Sequence, residues 1–144
     1  MADESTFWTQ RDAARDYTRI ARQCEALFAA LGTMAPRLEP PAAAAAAAQL
    51  ARRLGLHAAE WSGLVPESVL LAETRESAPA VPPVEPTVAA VESAVSALRR
   101  DLDSLLTRTS EIADGAARRE ARSTCVDIDE ALGRLRLATS SAVR

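Results

Sequence analysis

Apolar residues recur every three or four positions along most of the chain, which is the spacing of an amphipathic helix. With the Gly and Pro residues that interrupt it, this spacing predicts four helices at about 5–31, 41–63, 86–109 and 114–140. The apolar positions of the first helix are Tyr17, Ile20, Cys24, Leu27, Phe28 and Leu31. Those of the second helix are Leu50, Leu54, His57, Trp61 and Leu64. Gly32 is expected to end the first helix.

The third helix has the most regular pattern of the chain. Its apolar positions alternate four and three apart, close to a heptad, and are Val84, Val88, Val91, Val95, Leu98, Leu102, Leu105, Thr109 and Ile112. The fourth helix carries Ala117, Ala121, Cys125, Ile128, Leu132 and Leu135, with Asp114 as the expected N-cap. The second helix opens with alanines only, from Ala42 to Ala48, so a neighbouring helix can approach it closely.

The connection between the second and third helices is long and rich in proline. It covers residues 65–86 and contains Pro66, Pro79, Pro82, Pro83 and Pro86. An up-down-up-down bundle has three short loops, whereas a ferritin-like bundle has one long crossover. The loop lengths therefore predict an all-α, ferritin-like four-helix bundle. It forms a single domain over residues 1–144, and its crossover lies between the second and third helices.

Composition narrows the choice of fold and partner further. Aromatic residues make up only 3% of the chain, and Ala, Leu, Arg and Glu dominate, which argues against an all-β fold, a parallel α/β sheet and a disulfide scaffold. The net charge of −3 leaves no basic excess for nucleic acid. We find neither a signal peptide nor an apolar run long enough for a bilayer, so we expect a cytoplasmic protein without a membrane partner.

Several short motifs of the chain belong together. They are Gly32-Thr33-Met34-Ala35-Pro36, His57-Ala58-Ala59-Glu60-Trp61, Leu64-Val65-Pro66-Glu67, Arg108-Thr109-Ser110-Glu111-Ile112-Ala113-Asp114-Gly115 and Asp127-Ile128-Asp129-Glu130. With these motifs the chain resembles a family of small actinobacterial proteins with a ferritin-like fold. The resemblance covers residues 15–137 and implies the fold more than an activity. The chain departs from the family in having Glu111 where the turn has Pro, and one His where several are usual.

A ferritin-like fold suggests a di-iron site, but the chain lacks the ligand residues that such a site requires. Di-iron bundles need a Glu-x-x-His from each of two helices, but the chain has one His, and the order here is His57 then Glu60. We therefore expect no metal and no cofactor. A remnant site would have to use Glu25, His57 and Glu60. The favoured alternative is a structural His57, hydrogen-bonded to a carboxylate or a backbone oxygen.

The two cysteines, Cys24 and Cys125, are the candidate nucleophiles. Both lie on apolar stripes, where burial raises the pKa of a thiol and lowers its reactivity, so core packing is favoured over catalysis. A disulfide between them requires neighbouring first and fourth helices and an oxidising compartment.

We expect a non-enzymatic protein-interaction and oligomerisation module, most simply a homodimer. The contact surface would be the Ala-rich second helix or the third helix. Candidate interaction residues are Trp8, Arg11, Arg15 and Arg19, whose Arg ridge is either a solvated face or a surface for an acidic partner. The alternative is a small-molecule-binding or catalytic bundle, with candidate catalytic residues His57 and Glu60. Its pocket would be lined by Tyr17, Glu25, His57 and Trp61. A further alternative is a degenerate ferritin-like protein that binds one metal ion.

Overall fold

The computed structural model describes residues 10–65, 84–109 and 115–142, and they are almost entirely helical. Its four α-helices are α1 (Gln10–Met34), α2 (Pro41–Gly63), α3 (Val88–Thr109) and α4 (Gly115–Ala142). A 3-10 turn, Ala35–Arg37, joins α1 to α2. These ranges contain no strand, which confirms the all-α prediction. Trp8, Asp114 and most of the proline-rich connection lie outside the described residues, and the side chain of Arg11 is also outside them.

The observed helix ends follow local chemistry. The prediction that Gly32 ends α1 is wrong, because Gly32 keeps a negative φ and the helix continues to Met34. It stops before the 3-10 turn containing Pro36, which has no N–H to donate. At the start of α2, the Pro40 carbonyl accepts the N–H groups of Ala43 and Ala44 at 2.9 and 3.1 Å.

The start of α3 has a side-chain cap that the sequence pattern did not indicate. The N–H of Ala90 donates to Thr87 Oγ1 at 3.2 Å, as at an N-cap. This cap explains why α3 begins at Val88 and not at residue 86. At the other end of the helix, the described residues stop at Thr109, so the predicted boundary there stays a prediction.

Each helix packs against two others, in the cyclic order α1, α2, α4, α3. Contacts across these pairs run in opposite chain directions, so helices in contact are antiparallel. Tyr17–Trp61 and Phe28–Gly55 fix the direction of α1 against α2, and His57–Glu120 and Gln49–Arg134 fix that of α2 against α4. Asp16–Arg108 and Gln23–Asp101 do the same for α1 and α3. It follows that α2 and α3 run in the same direction.

The interior is formed by the apolar stripes that the sequence predicts. The largest fully buried side chains are Trp61, Ile20, Leu31, Leu50, Leu54, Leu98, Leu102, Leu105, Ile128, Leu135, Val91 and Val95. Phe28 does not follow this pattern, because it was assigned to the buried stripe of α1 but is 44% exposed. Its neighbour Leu27 takes the core position, and the Phe28 ring lies on the outside against Gly55 of α2. Within the described ranges, no helix is both long enough and apolar enough to cross a membrane.

Candidate functional site

The one histidine of the chain lies buried between two carboxylates of α4. His57 is on the inner face of α2, and its Nδ1 and Nε2 are each 2.6 Å from a carboxylate oxygen, Glu120 Oε1 and Asp127 Oδ2 respectively. Each ring nitrogen of His57 therefore has a carboxylate oxygen as its partner.

These contacts belong to a longer row of charged side chains between α2 and α4, which we call the polar seam. It comprises Gln49, Arg53 and His57 of α2 and Glu120, Asp127, Glu130 and Arg134 of α4. Arg53 donates to Asp127 and also lies 3.5 Å from Glu130. Arg134 contacts Glu130 at 2.7 Å and donates to Gln49. The seam thus runs along about four turns of α4 and about two turns of α2.

Asp127 is the residue on which the seam converges. Partial burial acts to raise the pKa of its carboxyl group, but hydrogen bonds from His57 and Arg53, together with their charges, outweigh that effect. The net result is a pKa below the ordinary value of 3.8. The ionised form of Asp127 is therefore the form that the fold stabilises.

Aromatic side chains fill the space at the end of the seam. Trp61 is fully buried, and its ring lies 5.7 Å from that of Tyr17, tilted by 45°. The indole Nε1 donates to Thr124 Oγ1 at 3.3 Å, and the Thr124 hydroxyl donates to the Glu120 carbonyl at 2.8 Å. Three of the predicted pocket residues, Tyr17, His57 and Trp61, are thus buried parts of the interior.

The two glutamates predicted near His57 do not join it. Glu25 and Glu60 are both exposed. In the described ranges, no group of three or more His, Cys, Asp and Glu side chains could hold a metal ion. His57 has instead the carboxylate partners expected of a structural histidine. The sequence pattern pointed to the acidic stretch around Asp127 but gave no sign of Glu120.

Both cysteines are buried free thiols. Burial raises the pKa of Cys24 to about 12, and the charge of Glu120 adds to this effect. Burial likewise raises the pKa of Cys125 to about 11, although Arg99 acts in the opposite direction. Because the thiolate is the nucleophilic form, both side chains are poor nucleophiles near neutral pH.

The predicted Arg ridge on α1 is an exposed surface with internal ion pairs. Arg15 and Arg19 are exposed, and Arg19 pairs with Asp16 at 3.0 Å, as the spacing of three residues predicts. Asp16 also forms an ion pair with Arg108 of α3, at 3.0 Å. Pairing within the subunit therefore accounts for part of the ridge.

The face of α2 that lies beside α1, away from the polar seam, carries an exposed apolar depression, which we call the outer groove. It lies between α1 and α2 and has a volume of about 670 Å³. Its lining residues are Glu25, Phe28, Arg52, Gly55, Leu56, Ala58, Ala59 and Ser62. Leu56 is 70% exposed, and a Cβ at Gly55 would lie 3.0 Å from Phe28 Cδ2. The glycine thus lets the Phe28 ring lie close to the surface of α2.

The outer groove could have been suspected from the sequence through Leu56. This residue lies two positions after Leu54 and one before His57, so it falls off the apolar stripe of α2. An apolar side chain off the stripe either stays in water or meets another surface. A second groove, between the start of α2 and the end of α4, has a volume of about 620 Å³ and includes Leu137, which is 69% exposed.

Fold and geometry together define an all-α helical bundle with a polar seam between α2 and α4 and an apolar groove between α1 and α2. No family model matches the chain, and neither the curated proteins nor the solved structures contain a match.

Proposed function

We propose that this protein is a non-enzymatic, ferritin-like helical bundle that acts as an interaction module by forming a homodimer through its outer groove. The observation that carries the proposal is the exposure of Phe28 and Leu56 side by side along the α1–α2 surface. Large apolar side chains grouped at the surface are typical of protein contact sites, where their burial stabilises the complex.

The choice of α2 over α3 as contact surface rests on burial. The near-heptad stripe of α3, with Val91, Leu98 and Leu105 among its members, is buried inside the bundle. That stripe is therefore used within the subunit. The outward side of α2 instead offers Leu56 and Ala59 together with Phe28 of α1.

A non-enzymatic role is supported by the state of the reactive groups. Both ring nitrogens of His57 contact carboxylates, so neither is free to act as a base or a ligand. The thiols of Cys24 and Cys125 are buried and have raised pKa values. These features favour an interaction role over the alternative of a catalytic or ligand-binding pocket at His57 and Glu60.

The ferritin-like part of the proposal is supported by helix direction. Because α2 and α3 run the same way, the connection between them has to join opposite ends of the bundle. A helix of about 22 residues is roughly 33 Å long, and roughly 10 extended residues cover that distance. The proline-rich segment is long enough for such a crossover. Membership of the small actinobacterial ferritin-like family and a cytoplasmic location belong to the same proposal.

The test compares two exposed leucines in different grooves. Size-exclusion chromatography with light scattering, and native mass spectrometry, should give twice the chain mass for the unmodified protein. Leu56→Glu places a charge in the outer groove and should give a monomer with unchanged helicity. Leu137→Glu is the matched control, because Leu137 is equally exposed but lies in the second groove, and it should stay dimeric.

Three results would count against the proposal. The unmodified chain could be monomeric at all concentrations, or Leu137→Glu and not Leu56→Glu could abolish the dimer. Mass spectrometry could also find a retained metal ion or small molecule, which would favour the ligand-binding alternative.

A further inference from the structure

Two opposite charges lie at the rim of the outer groove. Glu25 of α1 and Arg52 of α2 both line the groove, and both are exposed. Neither forms an ion pair or hydrogen bond with any residue in the described part of the chain. The polar seam on the other side of α2 differs, since its charged side chains are paired there.

Helix geometry places these two charges on opposite sides of the Phe28–Gly55 contact. Phe28 and Gly55 are in contact, and α1 and α2 are antiparallel. Glu25 precedes Phe28 by three residues, and Arg52 precedes Gly55 by three. At a rise of about 1.5 Å per residue, the two charges are therefore displaced in opposite directions and lie roughly 9 Å apart along the bundle. This separation explains why they do not pair within one subunit.

We infer that the occupant of the outer groove is a second copy of this chain, with Glu25 of each copy paired to Arg52 of the other. This inference rests on the proposed function. In a two-fold dimer the contacts are reciprocal, so residue i meets residue j twice. A two-fold axis through the Phe28–Gly55 contact exchanges the positions of Glu25 and Arg52. It forms both ion pairs at once and buries Phe28 and Leu56 between the copies.

The same geometry fixes how the two bundles cross. Glu25 and Arg52 lie on different helices as well as at different heights. The two-fold axis that brings Glu25 of one copy next to Arg52 of the other is therefore oblique to α1 and α2. As a result, the helices of one copy cross those of the other instead of running parallel to them. A partner with a surface of a single charge would be attracted by one of the two residues, Glu25 or Arg52, and repelled by the other. The groove is thus complementary to its own copy.

The experiment is a charge swap measured by sedimentation equilibrium. Glu25→Arg and Arg52→Glu each place like charges opposite one another twice per dimer. Each should therefore weaken dimerisation and raise the dimer dissociation constant about tenfold. The double variant Glu25→Arg/Arg52→Glu restores both pairs with their signs reversed, and its dissociation constant should return to within about threefold of the unmodified protein.

Controls separate pairing from changes in net charge. Glu60→Arg and Arg100→Glu change exposed charges outside the groove and should leave the dissociation constant nearly unchanged. The effects of the single swaps should shrink at high salt, because exposed charges are screened. Circular dichroism checks that each variant is folded.

The outcomes distinguish the two proposals. If a dimer forms and is sensitive to Leu56→Glu, but the double swap is as weak as the singles, the Glu25–Arg52 pairing is wrong and the groove remains the contact surface. If the unmodified chain is a monomer at every concentration, the proposed function fails and this inference fails with it.

Discussion

The two sides of α2 reverse the usual distribution of side chains. Towards α4, the helix presents His57 and Arg53 to a seam of carboxylates, with His57 buried and Asp127 largely so. Towards the surface beside α1, it presents Leu56, which is mostly in water. The difference shows that burial here is decided by which neighbour each side of the helix meets. Residue type alone would have assigned the two sides the other way round.

The energetic reasons for the two arrangements differ. Charged groups inside a protein are tolerated when each has a partner, and Asp127 has two in His57 and Arg53. Apolar surface in water costs about 25 cal/mol per Å² relative to burial. The charges of the seam are therefore paired within the chain, whereas covering the apolar surface of the outer groove would lower the free energy.

Removing the histidine should give one of the two largest losses of stability. His57→Ala leaves Glu120 and Asp127 without their shared partner, which should lower the free energy of unfolding by about 3 kcal/mol. Urea denaturation followed by circular dichroism measures this loss. Glu60→Gln, an exposed change on the same helix, is the control and should stay within about 0.5 kcal/mol. Equal stability of the two variants would mean that the seam does not hold α2 to α4.

A pair of leucines two positions apart sharpens the comparison between the inside and the outside of α2. Leu54→Ala opens a cavity at a fully buried position and should cost about 3 kcal/mol in urea denaturation. Leu56→Ala should cost less than about 0.5 kcal/mol at protein concentrations too low for dimers. It should weaken dimerisation instead, whereas a similar cost at both positions would contradict the assignment of Leu56 to the surface.

The stabilisation that ionised Asp127 contributes should be smaller, and it should be lost in acid. Asp127→Asn should cost about 1.5 kcal/mol at pH 7, the value typical of hydrogen bonds to charged groups. Because the native pKa is lowered, this stabilisation is complete above the ordinary value of 3.8 and is lost as the pH falls through the native value. Denaturation curves of both proteins between pH 2 and pH 7 should therefore converge at the acid end, and a constant gap would refute the linkage.

Much of the fold could be predicted from periodicity, because helix formation and core packing both follow the spacing of apolar residues. The stripe positions of α4, such as Ala121, Ile128 and Leu135, are buried as expected. Helix ends were less predictable, since a capping hydroxyl or a missing N–H decides them. The cap at Thr87 and the continuation through Gly32 are examples.

The site was predicted only in part. The sequence indicated a structural His57 but could not supply its partners, because Glu120 is 63 positions away and Asp127 is 70. Which carboxylates face a buried histidine depends on the order and direction of the helices, and not on local pattern. Phe28 was assigned to the core for a related reason, since it adjoins Leu27 and periodicity alone did not decide which of the two points inward.

The cyclic order of the helices has a consequence for chain entropy. The α1–α2 pair is closed by residues 35–40 only, whereas the polar seam joins residues 63 to 85 positions apart. Closing loops of that length costs roughly 2 kcal/mol more than closing a short turn. The contacts between α2 and α4, together with those between α1 and α3, therefore have to offset this loop-closure cost. The charges of the seam thus have a role in joining one half of the chain to the other.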